Sequence, residues 1–256
     1  YVELEPIDSG IQLTTDDLQL PTDERNLAYR AALEYMKIEN RKPLDRVRGK
    51  SKIGTGVKIH IEKNIPIAAG LAGGSADAAA VLFGLNQLTT NNSRLSTIEL
   101  LELGAKIGSD VPFCLTGGTC LVTGRGEKVT PLEPWPATTF ILVCPEIEVS
   151  TPWAYEAFDD LNLAVSNQIK NDLEPAVVSR YPVISEIKEK LLAFGCTDVQ
   201  MSGSGPSVFG VSRSPAEARK IVAALKDDHP RTFLVETAAK GFAPNFQLPI
   251  ISYIIM

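Results

Sequence analysis

The chain has 256 residues, 44% hydrophobic and 22% charged, with 25 Lys+Arg against 31 Asp+Glu and a formal net charge of −6. This composition belongs to a folded protein of one large or two modest domains and excludes a disordered chain. The acidic balance, with a pI near 5.1, excludes a basic nucleic-acid footprint, so an anionic ligand must be held by local backbone donors and a few placed cations.

Tyr1, Val2, Leu4 and Ile7 read as the tail of a strand, with no charged n-region and apolar h-region of a signal peptide visible, and the chain is expected to start part-way into a domain. Residues 21–25 are turn material. A helix is predicted from about Asn26, with Leu27, Ala31, Ala32, Leu33 and Met36 at helical spacing and Asn26 or Thr22 as its cap. The basic stretch Asn40–Lys52 reads as a solvated loop or hairpin. Val57 to Lys63 alternates apolar and polar, which predicts a half-buried strand with His60 on its outer face. A glycine-rich turn follows, then a helix whose Ala78, Val81, Leu82, Leu85 and Leu88 share one stripe.

A further helix is predicted over Thr97–Ile107, closed by Gly108, with strands at Cys120–Val122 and Phe140–Val143. Pro131, Pro134, Pro136 and Pro145 mark a domain boundary, placed at 144/145, so that the domains are 1–144 and 145–256. Beyond it come helices around Trp153–Phe158, Val183–Phe194 and Pro215–Lys226, and strands at Val199–Met201 and Thr232–Glu236. Interleaved strands, helices and hairpins predict an α+β fold. No run nears the ~20 apolar residues of a membrane helix. The apolar Pro249–Met256 is strand-sized and would be an aggregation hazard if exposed.

Two histidines, His60 and His229, are too few for a His-rich metal centre, and Cys114, Cys120, Cys144 and Cys196 form no C-x-x-C pair. No metal site is expected, and the cysteines read as buried thiols of a reducing compartment. The informative segment is Pro66-Ile67-Ala68-Ala69-Gly70-Leu71-Ala72-Gly73-Gly74-Ser75-Ala76-Asp77-Ala78-Ala79. A strand feeds small residues that open into a helix, whose first-turn N–H groups and dipole make an anion cradle. The competing reading is a tightly packed helix start with Ser75 as its N-cap. The pattern is neither a Walker A loop nor a G-x-G-x-x-G fingerprint.

This segment resembles the ATP-binding motif of the GHMP small-molecule kinases. Met201-Ser202-Gly203-Ser204-Gly205-Pro206-Ser207-Val208-Phe209-Gly210 resembles that family's C-terminal glycine motif. Gly108-Ser109-Asp110-Val111-Pro112-Phe113 resembles a signature of its branch acting on a cytidyl diphosphate of methylerythritol. The three motifs stand in family order, and the resemblance runs from about Asp23 to Ala239. It implies an N-terminal lobe like ribosomal protein S5 domain 2 and a ferredoxin-like C-terminal lobe. It also implies ATP with Mg2+, and γ-phosphoryl transfer to the 2-hydroxyl of the cytidyl-linked methylerythritol in the non-mevalonate isoprenoid route. A cytoplasmic enzyme is expected, a monomer or weak homodimer with neither nucleic acid nor membrane as partner.

By the same resemblance Asp110 is the general base, and it also stands where a helix cap would. Pro66, Ala68, Ala69, Gly70, Leu71, Ala72, Gly73, Gly74, Ser75 and Ala76 wrap the triphosphate, with Ser75 near phosphate or Mg2+. Lys63 and Asn26 match positions near the adenine, or are a strand-end lysine and a helix-start amide. Thr151, Gly203, Ser204 and Gly205 join Asp110 on the substrate side, and Tyr155 takes the place of an aromatic stacked on cytosine. The alternative has Trp153 and Tyr155 as packing residues of the helix they open. The family's opening strand, Lys-Ile-Asn-Leu, and its Gly-Tyr-His-Glu segment have no counterpart in these residues. A lysine beside the catalytic aspartate is therefore expected to be missing, and a non-catalytic or substrate-divergent relative is the competing reading.

Overall fold

The computed structural model describes residues 1–41, 55–89, 94–161 and 170–238. The basic stretch from residue 42 and the apolar end Pro249–Met256 lie outside the described residues. The chain forms two compact units: the first from Tyr1–Asn64 and Ala72–Pro134, the second from Ile65–Leu71 and Trp135–Ala239.

In the first unit, β1 (Val2–Ile7) and β2 (Ser9–Thr15) flank β3 (Thr55–Ile61), antiparallel and parallel to it respectively. Val57, Ile59 and Ile61 are buried, whereas Lys58 is exposed and half-buried His60 meets Thr14 Oγ1 through Nδ1 at 3.0 Å, as the alternation requires. The helices are α1 (Leu27–Arg41), α2 (Gly73–Leu88), α3 (Thr97–Ile107) and α4 (Val111–Thr116), followed by the hairpin β4 (Cys120–Thr123) and β5 (Lys128–Pro131). The buried stripe of α1 is Ala28, Ala31, Ala32 and Tyr35 rather than the larger Leu27, Leu33 and Met36. Small side chains let α1 approach α2 closely. Tyr35 closes the contact, its hydroxyl lying 3.0 Å from both Asn86 Oδ1 and Thr89 Oγ1. Helix α3 has the expected bounds because Ser96 and Glu99 form a capping box and Gly108 ends it.

The second unit runs β6 (Thr139–Val143), α5 (Thr151–Asp160), α6 (Glu174–Arg180), α7 (Val183–Ala193), β7 (Thr197–Met201), β8 (Val208–Ser212), α8 (Pro215–Leu225) and β9 (Thr232–Glu236). The four strands are antiparallel in the order β7-β8-β6-β9, the split β-α-β arrangement of a ferredoxin-like lobe. Ile141, Val143, Val177, Ile184, Ile187, Leu191, Met201 and Val208 form one core of this unit. A second cluster joins Phe140, Leu142, Cys144, Phe209 and Val235 to Ala69 and Leu71 of the glycine-rich segment. The units divide at 134/135, ahead of the expected 144/145, because β6 pairs with β8 and β9. None of the four cysteines is in a disulfide; Cys114, Cys144 and Cys196 are buried and Cys120 is half-buried.

Candidate active site

The helix opened by the glycine-rich segment starts earlier than a serine cap would place it. Ala72, with φ 48°, occupies the N-cap position of α2 and supplies no side-chain cap, so Ser75 sits inside the first turn. Ser75 is 8% exposed. Among the described residues its hydroxyl has no hydrogen-bond partner. The first turn of α2 therefore keeps uncapped N–H groups beside an uncommitted hydroxyl, the arrangement that receives phosphate. Gly74 lies close to Leu27, the residue after Asn26: a Cβ there would stand 3.7 Å from Leu27 Cδ1.

The Gly108–Phe113 signature adjoins this turn within the same unit. A Cβ at Gly108 would lie 3.8 Å from Ser75 Oγ and 3.4 Å from Val111 Cγ2. Asp110 holds the N-cap position of α4 but makes no side-chain cap hydrogen bond, so the cap reading is not realised. Its carboxylate has no partner among the described residues. Burial alone pushes its pKa upward. Backbone supports it from the hairpin: Gly126, at φ 114°, packs where a Cβ would collide with the Ser109 carbonyl.

Lys63 is not the exposed strand-end lysine of the bland reading. Its Nζ lies 2.5 Å from Asp77 Oδ2, with the two side chains 3% and 11% exposed. Its backbone N–H donates to Asp16 Oδ1 at 2.7 Å, which lowers the Asp16 pKa. Asn26 is buried and caps α1, accepting from the Ala28 N–H at 2.9 Å and donating to the Pro21 carbonyl at 2.8 Å. Its amide is thus engaged in the fold.

The front half of the glycine-rich segment belongs to the second unit. Ser202 Oγ donates to the Gly70 carbonyl at 2.9 Å, and the Ser207 N–H to the Ala69 carbonyl at 3.4 Å. Gly70 has φ 69°, and a Cβ on it would collide with the Ser202 and Gly205 carbonyls. Glycine is required here by close backbone packing as well as by torsion. Ala69 and Leu71 spend their side chains on the core, so only their backbone is left for a ligand.

On the same unit Thr151 Oγ1 meets Ser204 Oγ at 2.8 Å. Tyr155, one helical turn after Thr151 on α5, is 56% exposed. Trp153 is instead committed: it meets Tyr181 edge-on at 5.7 Å, and the Arg180 guanidinium lies 4.8 Å from its ring centroid. The two aromatics therefore part company, Trp153 packing and Tyr155 presenting its ring to solvent.

Within the first unit the structure brings Gly108, two residues before Asp110, against Ser75, with Gly74 and Gly108 both near Leu27. Within the second it gathers Gly70, Gly203, Ser204, Gly205 and Thr151. Sequence reasoning passed over Asp77, Gly126, Asn171 and Glu174. The Lys63–Asp77 spacing of fourteen residues joins a strand end to a helix and gives no periodic signal. Among the described residues no three His, Cys, Asp or Glu side chains group to hold a metal ion, and no helix is long and apolar enough to cross a membrane.

Comparison with known proteins shows the family. Residues 26–118 match the GHMP kinases N terminal domain and residues 154–231 the GHMP kinases C terminal domain. The chain belongs to the GHMP kinases, a family of small-molecule kinases. The 4-diphosphocytidyl-2-C-methyl-D-erythritol kinase of Clostridium botulinum is 40% identical over 92% of this chain and 86% of its own length. That of Levilactobacillus brevis is 40% identical over 92% and 85%. A crystal structure of 4-(cytidine 5'-diphospho)-2C-methyl-D-erythritol kinase superposes with a TM-score of 0.76 at 30% identity, covering 94% of this chain and 86% of that one. Within the GHMP kinases the chain falls in this 4-diphosphocytidyl-2-C-methyl-D-erythritol kinase family. Homoserine kinase from Cytophaga hutchinsonii, at 24% identity and a TM-score of 0.66, shares the fold.

Proposed function

We propose that this chain transfers the γ-phosphoryl group of ATP to the 2-hydroxyl of 4-diphosphocytidyl-2-C-methyl-D-erythritol, a step of the non-mevalonate route to isoprenoid precursors. Phosphoryl transfer asks the protein for in-line positioning, charge neutralisation and a group to take the hydroxyl proton. The observation that carries the reading is Asp110, a partly buried carboxylate without a partner among the described residues, two residues after the Gly108 that adjoins Ser75 in the uncapped first turn of α2. Asp110 takes the acceptor's proton. The α2 first turn holds the triphosphate, and the Ser75 hydroxyl is the residue on hand for a phosphate oxygen or for Mg2+. Magnesium, arriving with ATP, supplies neutralisation of the phosphate charge.

Thr151, Ser204 and the glycines beside it hold the acceptor's diphosphate, and the exposed Tyr155 ring stacks on the cytosine. Such stacking is worth about 1–3 kcal/mol per base. Lys63 and Asn26 serve the adenine end from behind, their side chains held by Asp77 and by Pro21 and Ala28. The reading places the enzyme in the cytoplasm, as a monomer or weak homodimer acting on small soluble metabolites. An ADP-release assay across the cytidyl substrate, homoserine and mevalonate tests it. Turnover only with the cytidyl compound is expected; ATP binding without ADP release on any alcohol overturns it.

A further inference from the structure

The second glycine turn does not hold its own shape. Its internal hydrogen bonds are few: the Ser202 N–H donates to the Ser207 carbonyl at 2.8 Å and the Gly205 N–H to the Ser202 carbonyl at 2.9 Å. Two further carbonyls are taken from outside. The Asn171 carboxamide donates through Nδ2 to the Met201 carbonyl at 2.8 Å and to the Gly203 carbonyl at 2.7 Å. Its Oδ1 accepts from the Leu173 N–H at 3.0 Å, and its own N–H donates to Gln200 Oε1 at 3.1 Å. Both ends of this side chain are thus fixed. Three residues on, Glu174 Oε2 accepts from the Met201 N–H at 2.8 Å while its other oxygen pairs with Lys188.

These bonds have a consequence for the turn's donors. Two of its carbonyls are drawn to one carboxamide, and Gly203 and Gly205 take φ 54° and 83°. Among the described residues the Gly203 and Ser204 N–H groups donate to nothing. Successive free N–H groups beginning at a left-handed glycine form an anion-binding concavity, here at Gly203 and Ser204, beside the Ser204 and Thr151 hydroxyls.

We propose that Asn171 is a positioning residue, whose carboxamide draws the Met201 and Gly203 carbonyls to itself and so keeps the Gly203 and Ser204 N–H groups available for the acceptor's diphosphate. Glu174 braces the same turn from the Met201 N–H. This rests on the reading above that the turn receives the acceptor's phosphates. The Asn171 side chain touches neither substrate nor reacting atoms.

The test compares Asn171→Ala with Asn171→Asp, in the full chain, by steady-state kinetics with ATP and the cytidyl substrate, corrected for folded fraction. Asp has the shape of Asn and keeps the acceptor for Leu173, but turns an anionic oxygen on two carbonyls and toward a phosphate site. The expected order of acceptor affinity is therefore Asn above Ala above Asp. The acceptor KM should rise about tenfold for Ala and more for Asp, as the loss of two hydrogen bonds implies, with kcat per folded molecule changed less. A space-filling role gives the opposite ranking, Asp above Ala. It also lowers apparent kcat with the melting temperature while leaving KM alone; either result overturns the proposal.

Glu174→Gln, which retains an acceptor for the Met201 N–H, reads the turn from its other side. It should raise the same KM by a smaller factor, and an unchanged KM in both it and Asn171→Asp overturns the proposal. Thr151→Ala and Ser204→Ala separate the two levels. If they raise the acceptor KM while Asn171→Asp does not, Asn171 alone fails. If they too leave it unchanged, the phosphate reading of the turn fails and takes the proposal with it.

Discussion

Lys63 and Asp77 form a buried ion pair that ties the end of β3 to the second turn of α2, at 2.5 Å and with both side chains almost wholly covered. Breaking such a pair from one side leaves an uncompensated charge and costs about 3–5 kcal/mol, whereas replacing both partners with apolar residues is often neutral. Asp77→Asn should therefore unfold at markedly lower denaturant concentration, and Lys63→Met with Asp77→Leu should recover most of the loss. Measuring ATP affinity in the recovered double variant isolates any direct contact of Lys63 with the nucleotide. Weakened ATP binding at restored stability marks such a contact; unchanged binding reduces the pair to a structural one.

Asp110 gives a prediction with a sign. Burial raises its pKa, so the protonated, inactive form of the base persists to higher pH than for an ordinary aspartate. The acid limb of kcat/KM for the acceptor should then have its midpoint above the usual carboxylate range, with activity rising as pH rises through it. Asp110→Asn should remove that limb together with turnover while ATP still binds.

The same shift fixes the stability effect. A carboxyl whose folded pKa lies above its unfolded value contributes stability below the unfolded value, and that contribution is lost as pH rises through the folded one. At neutral pH Asp110→Asn should be at least as stable as the parent chain. A helix-capping aspartate would instead lose about 1 kcal/mol on replacement by alanine, so thermal melts of Asp110→Asn and Asp110→Ala distinguish the two roles.

Trp153 and Tyr155 should respond in opposite ways. Tyr155→Ala removes an exposed ring, leaving stability nearly unchanged while raising the KM for the cytidyl substrate by about 5- to 150-fold, the equivalent of losing one base stack. Trp153→Ala strips an edge-on partner from Tyr181 and the face under Arg180, and should cost stability of about 3 kcal/mol. An unchanged KM in Tyr155→Ala refutes the stacking role.

The two halves of the glycine-rich segment predict opposite substitutions. Ala72 holds a left-handed torsion that costs a non-glycine residue about 1–2 kcal/mol, so Ala72→Gly should raise the melting temperature by a few degrees. Gly70→Ala should lower it sharply, because its methyl group would strike the Ser202 and Gly205 carbonyls. A Gly70→Ala protein as stable as the parent chain contradicts the packing described for this loop.

What the sequence disclosed follows from where each signal resides. Helix α3 was legible to the residue because its capping box and terminal glycine are local, and β3 because its alternation is strict. Strands β2 and β8 were missed: Gly10 and a run of threonines blur the first, and the second continues out of a glycine turn that drew attention to itself. Short α6 carries too few turns for a clear stripe. At the site, Asp110 and Ser75 stood out through their motifs, while the Ser75 cap failed because Ala72 takes the unusual torsion three residues earlier. Asn171 and Glu174 left no trace because they act on backbone atoms some thirty positions away, and backbone atoms have no sequence.

Residues 65–71 serve as the missing cover of a sheet formed almost entirely from residues after 135. A recombinant fragment begun at Trp135 would carry Phe140, Leu142, Phe209 and Val235 with their lid left behind, and would tend to self-associate rather than stand alone. The C-terminal half is thus not a cassette that can be excised and reattached to another catalytic partner.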